Sequence, residues 1–472
     1  MLFLFFFLLF PFSSSYNILV FSPLFGHSHT TFLAKIADTL TDAGHNVTFF
    51  CPTIMKEFRD IKYVKSTQHV IHMEPSAKLE ALGNRVSENK QYWQAEYSIR
   101  KFPESFKFFR LINQYTVETL HDNLAVLDEM KKTKYDLMIY EAVFHGGIPV
   151  MDYLDIPAFT TALSVTYDSL TAELIGEPTF PGFVPTMMSG FSDKMTFWER
   201  YINTVAQYVM NNYFLYADMK SFKPAAYQLD PEDTLRHTSF VFMNSNPYLE
   251  FPRPTITKTV QIGGISVDVE KLRSQKLDKK WDTVLTKRKH TVLVSFGSVI
   301  LSKDMPIEYK IGLTSAMKNM GEVTFIWKYE DDDTIFANNI PNIEFSKWVP
   351  QTALLADDRL TAFMTHAGLG SINEVSYLGK PSVILSAIKL SKQLNNQPIK
   401  PYELLIKHAE FAAQFGRLPS LDPYSRQMSF VQYFLIDVIT TTIIIISIIF
   451  LIIYQIIRML VQLVRGTKTK KD

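Results

Sequence analysis

Cysteine is almost missing from this chain. Cys51 is the single one among 472 residues, so no intramolecular disulfide can form and a cysteine-ligated metal site is excluded. A chain of this length can build two sizeable cores without disulfides, so an oxidising compartment stays open to it. An excess of charge of either sign is also missing. Lys+Arg is 48 and Asp+Glu is 47, a balance that gives no reason to expect nucleic acid as a partner. The chain has no low-complexity tract, no short tandem repeat, no Walker loop and no GxGxxG. Any nucleotide site must therefore be built another way.

The two ends carry long apolar runs. "MLFLFFFLLFPFSSS" has no positive charge in its n-region, but its run of about 12 apolar residues is too short to span a bilayer, and small serines follow it. Residues 1–15 therefore read as a signal peptide. "VITTTIIIISIIFLIIYQII", from Val438 to Ile457, holds no charge and is long enough for one span. Arg458, Arg465, Lys468, Lys470 and Lys471 follow it and mark a cytosolic side. The expectation is a single-pass type I membrane protein with its bulk in the lumen, a transmembrane helix at 434–457 and a basic tail at 458–472. The ending "KTKKD" matches a dilysine retrieval signal to the endoplasmic reticulum, and an ordinary stop-transfer cluster explains it equally well. The one sequon, Asn46-Val47-Thr48, opens a predicted core strand.

Between the ends the pattern is α/β. "YNILVFS" reads as a buried strand. Phe32, Leu33, Ile36, Ala37 and Leu40 then form a helix stripe that stops at Gly44, and "NVTFFC" is the next strand. Strand, helix, strand is the unit of a parallel sheet. "DLMIYEAVF" and "IPAFTTALS" continue it. From Leu170 to about Tyr227 the chain is rich in Met, Phe, Tyr and Trp and reads as amphipathic helices that line a pocket, touch a membrane surface or simply form core. These elements predict a first domain at 16–265. The charged stretch 266–290 predicts a linker with some helix, and "TVLVSFGS" opens a second α/β domain at 291–433.

Two strand-to-helix loops could carry chemistry. In "FSPLFGHSHTTF", His27 and His29 stand where a strand meets a helix start, and a neutral imidazole at that edge of a parallel sheet suits a general base. A lone loop histidine is more often a surface or capping residue. In "THAGLGSINE", two glycines permit tight backbone before a helix, whose amides form an anion site suited to a diphosphate. His366 could add a charge-assisted bond, and Glu374 could accept from ribose hydroxyls. "WVPQ" precedes it, an aromatic plane for a base and an amide for its edge. The run Asp331–Asp333 raises a metal-dependent GT-A reading, but a solvated turn explains it more simply.

These residues carry a resemblance. "WVPQTALLADDRLTAFMTHAGLGSINEVSYLGKP" resembles the nucleotide-sugar signature of UDP-glycosyltransferases, in particular the animal UDP-glucuronosyltransferases. "AGHNVTFF", "FPGFVPTMMSGFSDKMTFWERYIN", "MNSNPYLEFPRPTITKTVQIGGI" and "LLIKHAEFAAQFGRLPSLDPYSRQMSFVQYFLIDV" are similar to that family too. The resemblance implies a GT-B fold of two Rossmann-like domains, with the acceptor on the first and the UDP-sugar on the second. It implies His29 as the catalytic base, with His27 as fallback, and Glu141 where the family usually has Asp. It implies Trp348 stacked on uracil with Gln351 at the base, Ser298, His366, Gly368 and Ser371 on the diphosphate, and Glu374 on the ribose. It implies no cofactor beyond the co-substrate, UDP-glucuronate or UDP-glucose, a small lipophilic acceptor, and homo- or hetero-oligomers with relatives.

The chain departs from the family after "GKP". The family continues to an Asp-Gln pair that binds the donor sugar, then helices, then "NQP". Here Leu390 and Ser391 stand at the Asp-Gln spacing, Gln393 does not fit it, and no Asp-Gln occurs between Pro381 and Pro398. An internal deletion near 385–395 is the expected cause, and it would strip the sugar subsite. A catalytically impaired isoform is therefore the alternative to an active enzyme.

Overall fold

The computed structural model describes residues 15–87, 93, 102–142, 144–186, 189–214, 231–297, 300–382, 399–422, 429–434 and 436–468. The signal-peptide reading falls outside these residues.

Seven strands form the first sheet: β1 (Asn17–Phe21), β2 (Asn46–Pro52), β3 (His69–Met73), β4 (Leu137–Glu141), β5 (Phe159–Leu163), β6 (Val241–Met243) and β7 (Thr259–Gln261). Their order is β3-β2-β1-β4-β5-β6-β7, and every pair is parallel. The central strands are apolar without alternation because both faces are covered; Ile18 to Phe21 and Leu137 to Tyr140 are fully buried. The predicted stripe lies on helix α1 (His27–Asp42), with Phe32, Leu33, Ile36, Ala37 and Leu40 buried. Strands β3 and β7 were not among the sequence expectations. Both lie at sheet edges, and neither is buried along its full length, so the apolar signal is weak there.

The aromatic-rich stretch contains helix α2 (Phe197–Phe214). The charged segment 266–290 holds helices α3 (Val269–Ser274) and α4 (Lys279–Leu285), each capped by an aspartate. Asp268 accepts from the Lys271 N–H and Asp278 from the Trp281 N–H. Trp281, Val284 and Leu285 bury into the second core, so the segment is packed structure as much as linker.

The second sheet contains β8 (His290–Ser295), β9 (Val323–Lys328), β10 (Ile343–Ser346) and β11 (Ala362–Thr365), in the parallel order β10-β9-β8-β11. Helices α5 (Gln351–Ala356) and α6 (Leu369–Leu378) flank β11. After α6 ends at left-handed Gly379, Ser382 makes a single parallel bridge to Phe363 beside β11. Residues 383–398, and with them Leu390, Ser391 and Gln393, lie outside the described residues.

Helix α7 (Pro401–Phe415) follows, and it packs on the first sheet. Its stripe Leu405, Ala409 and Ala412 is fully buried in the first core, against α1 and β5. Part of the segment assigned by sequence to the second domain thus belongs structurally to the first. Helix α6 of the second α/β unit also meets the loops after β6 and β7 of the first. Tyr377 donates to the Gly263 carbonyl (3.0 Å) and accepts from Asn246 (3.2 Å). Gly264 permits this approach: at φ +91° it carries no side chain, and a Cβ there would stand 2.2 Å from the Tyr377 ring.

Residues 422–472 form a separate compact unit. It contains helix α8 (Ile436–Lys468), whose stretch Ile439–Gln462 has a mean hydropathy of 2.6 and is long and apolar enough to cross a membrane.

Candidate active site

His29 sits in the first turn of α1, directly past the C-terminal edge of β1. Glu141 is the last residue of β4, the neighbouring strand, and is fully buried. Parallel pairing aligns these ends, which brings His29 Nδ1 to 3.4 Å from Glu141 Oε2. Ser164, one residue past the end of β5, completes the group. Its Oγ lies 2.5 Å from His29 Nδ1, and its backbone N–H donates to Glu141 Oε1 (3.1 Å). Glu141 Oε2 has no hydrogen-bond partner among the described residues, so its interaction with the imidazole is electrostatic. Phe25, half-buried, and Phe144, buried in the first core, stand edge-on to the His29 ring at 6.5 and 6.4 Å.

The fallback histidine faces elsewhere. His27 Nδ1 bonds the Tyr63 hydroxyl (3.2 Å), and its ring packs near Phe58. Burial lowers its pKa, and the positive charge of Lys328 lowers it further. Lys328 ends β9, so positive charge at the C-terminal edge of the second sheet acts on this histidine of the first. Trp93 spans the joint as well, donating to the Leu301 carbonyl (2.7 Å) and meeting the Phe296 ring edge-on.

Across the cleft lies the second cluster. Gly368 caps α6 without any side-chain bond to its first amides, which leaves them available to an anion. His366 is exposed at this turn, and partial desolvation of its ring lowers its pKa. Gly297 and Gly368 close around its ring, where a Cβ would stand 2.7 and 2.6 Å away. Ala367 between them holds φ +66°, a strained conformation for a residue other than glycine. Gln351, at the start of α5, donates to Ser371 Oγ (3.1 Å) and to Glu374 Oε2 (2.7 Å), and Thr352 donates to Glu374 Oε1 (3.3 Å). Burial raises the Glu374 pKa, and these two donors act against the rise. Trp348 stands beside this cluster in sequence with its side chain open, at 69% exposure.

The structure thus brings His29 and Glu141 together on one side of the cleft. Gln351, Ser371 and Glu374 join on the other, with His366 and Gly368 at the helix start. Ser298 lies outside the described residues. Sequence reasoning missed Ser164. No local signal marks it: Ser164 reaches this edge because Ala162 pairs with Glu141 in register, and that register belongs to the fold. The acidic run reads as a turn. Asp331 Oδ1 accepts the N–H groups of Asp332 and Asp333, Asp332 pairs with Lys347, and no metal-holding cluster occurs among the described residues.

The family described as UDP-glucoronosyl and UDP-glucosyl transferase matches residues 17–387. The chain belongs to that family. The rat UDP-glucuronosyltransferase 2B7 is 26% identical to this transferase over 374 residues, which cover 76% of this chain and 68% of the relative. The rat UDP-glucuronosyltransferase 1-2 is 22% identical and covers 94% of this chain and 91% of the relative. Among solved structures, a UDP-glucosyltransferase from Polygonum tinctorium, capable of glucosylating indoxyl and 3,4-dichloroaniline, matches at a TM-score of 0.50 with 15% identity, covering 80% of this chain and 82% of that one. It supports the fold: two parallel α/β units of the GT-B type.

Two of these findings bear on the seam after "GKP". The family match stops at residue 387, within the region where the sequence predicts the loss. The alignment to the rat 1-2 enzyme runs over 503 positions although the transferase has only 472 residues, so the relative carries positions with no counterpart here.

Proposed function

We propose that this transferase moves a hexosyl group from a UDP-sugar to a hydroxyl of a small lipophilic acceptor, with inversion at the anomeric carbon. The observation that carries the reading is the His29–Ser164–Glu141 group on one lip of the cleft, facing the α6 start and its Gln351–Glu374 pair on the other. With Nδ1 engaged by Ser164, Nε2 of His29 is left for the acceptor. It takes the hydroxyl proton as the acceptor oxygen bonds to the anomeric carbon. The bond from that carbon to the phosphate oxygen breaks, and its electron pair leaves with UDP. The buried Glu141 carboxylate stabilises the imidazolium that forms. Its extra methylene relative to Asp is accommodated by Ser164, which holds one carboxylate oxygen by its N–H and the imidazole by its hydroxyl. Amides at the α6 start and His366 hold the diphosphate, Glu374 takes the ribose hydroxyls, and Trp348 offers a face to uracil. Phe25, half-buried beside the His29 ring, suits an apolar acceptor. UDP-glucuronate or UDP-glucose is the donor, α8 is the membrane span, and the bulk is lumenal in the endoplasmic reticulum.

The seam supports a second reading, in which the chain binds UDP but positions the sugar poorly and works as an impaired partner of relatives. Misplacing a reacting group costs about 10²-fold per Å, so loss of the sugar subsite is enough to silence transfer. The deciding test compares UDP-sugar transfer and hydrolysis by this chain with a version carrying a relative's Asp-Gln segment between Leu385 and Ser386. Transfer by both at equal rates sustains the active enzyme. Transfer by the restored chain alone sustains the impaired one.

A further inference from the structure

Helix α2 is packed the wrong way round for a protein that meets only water. Its inward face sets three polar residues, Asn203, Gln207 and Asn211, beside Ala206. Asn203 is fully buried, with Oδ1 accepting from the Thr186 N–H and Nδ2 donating to the Pro181 and Val184 carbonyls. Asn211 is also buried, accepting from Ser169 and donating to Glu173. The outward face is apolar and aromatic. Trp198, Tyr201, Ile202, Val205, Tyr208 and Val209 repeat at helical spacing and are 44–67% exposed. From Tyr201 to Phe214 the helix holds no charged residue. Phe180 and Phe183 stack at 5.3 Å, are also exposed, and belong to the segment that Asn203 pins to α2.

We propose that this face of α2 rests in the interfacial layer of a lipid bilayer. A continuous apolar patch of this kind needs a partner, and its chemistry selects lipid. Trp and Tyr mixed with aliphatic residues favour the headgroup boundary, where a ring can bury its body and keep its polar tip wet. An interfacial helix normally turns its polar face to water; here Asn203, Gln207 and Asn211 turn theirs to protein, so only the apolar face is left to be satisfied. Chain length supplies the same partner independently. The globular unit ends at Leu421 and the membrane-length stretch begins at Ile439. The connection between them reaches at most about 60 Å even when fully extended, at about 3.3–3.6 Å per residue. A bilayer holding α8 is therefore tethered to the chain that carries α2, at an effective concentration that a free partner does not share. The inference rests on the reading of α8 as a span. It gives the body a second membrane contact.

The test uses the full chain reconstituted into phosphatidylcholine vesicles, with and without bromine on the acyl chains. The Trp198 signal is isolated as the difference between the parent and Trp198→Phe, a change that keeps the helix and its aromatic character. On the proposal the Trp198 component loses most of its intensity to bromolipid and resists aqueous acrylamide. A component quenched by acrylamide and untouched by bromolipid overturns it, because the face is then in water. A component shielded from both also overturns it, because a protein, such as a second copy of the chain, then covers the face. Alkaline carbonate extraction tests α8 separately. A chain that washes off at high pH yet shows Trp198 quenching keeps the α2 contact and loses the span, whereas a retained chain with unquenched Trp198 does the reverse.

Discussion

Ser164 Oγ lies closer to His29 Nδ1, at 2.5 Å, than Glu141 Oε2 does at 3.4 Å. The imidazole is therefore oriented by a hydroxyl, while the carboxylate acts from slightly further away. Ser164→Ala removes that hydroxyl and keeps the backbone N–H on Glu141. One neutral hydrogen bond is worth about 1 kcal/mol, so kcat is expected to fall roughly 5- to 10-fold with little change in KM. Steady-state kinetics check this, on the seam-restored chain if the parent turns over too slowly.

The two histidines separate in the same assay. His29→Ala is expected to lower kcat by about 10²–10⁴-fold, the usual worth of a general base. His27→Ala removes a ring held by Tyr63 away from Glu141 and is expected to cost far less. Equal losses would reassign the base.

Glu374 predicts a pH dependence of UDP binding. Burial raises its pKa, so protonation sets in above the ordinary glutamate value of about 4.3. The ionised carboxylate accepts from ribose hydroxyls and the protonated one accepts less well. UDP affinity is therefore expected to fall on acidification, beginning above that value. Glu374→Gln should bind UDP more weakly at neutral pH and lose this component of the pH dependence. Calorimetric titration of parent and variant between pH 7.5 and 5, compared by difference, cancels the titration of UDP itself.

His145 predicts an acid-labile fold. Its ring is fully buried, neither nitrogen has a hydrogen-bond partner among the described residues, and burial lowers its pKa to about 4. The unfolded chain, at about 6.5, binds this proton more readily than the folded one. The neutral ring therefore contributes stability above pH 6.5, and that contribution is lost as pH falls from 6.5 towards 4, by up to about 3 kcal/mol. Melting temperatures should drop across this window in the parent and drop less in His145→Phe.

Gly264→Ala is expected to loosen the contact between the two α/β units. The added methyl meets the Tyr377 ring, and φ +91° is strained for any side chain. A loss of melting temperature partly recovered by Tyr377→Ala in the double variant would confirm that the methyl and the ring compete for one space.

Much of the fold was legible in the chain. Buried parallel strands are apolar throughout and α1 has a period of 3.6, so β1, β2, β4, β5 and β8 could be read directly, as could the loops holding His29 and His366. The edge strands β3 and β7 could not, because only one side of an edge strand is paired and its apolar signal is weak. Helix α7 was assigned to the wrong body for a related reason: a stripe such as Leu405, Ala409 and Ala412 shows that a helix is buried without showing against what.

Local pattern by itself thus determined the α/β class, the membrane-length run and the two loop clusters, since each is written in consecutive residues; the expected break after "GKP" came from the family resemblance. Tertiary structure alone decided which histidine meets the carboxylate and that Ser164 stands between them. It also decided that the apolar face of α2 points outward. Each of these depends on residues far apart in the chain arriving at one sheet edge or one helix face. Composition counts apolar side chains, but only packing fixes which of them face the core.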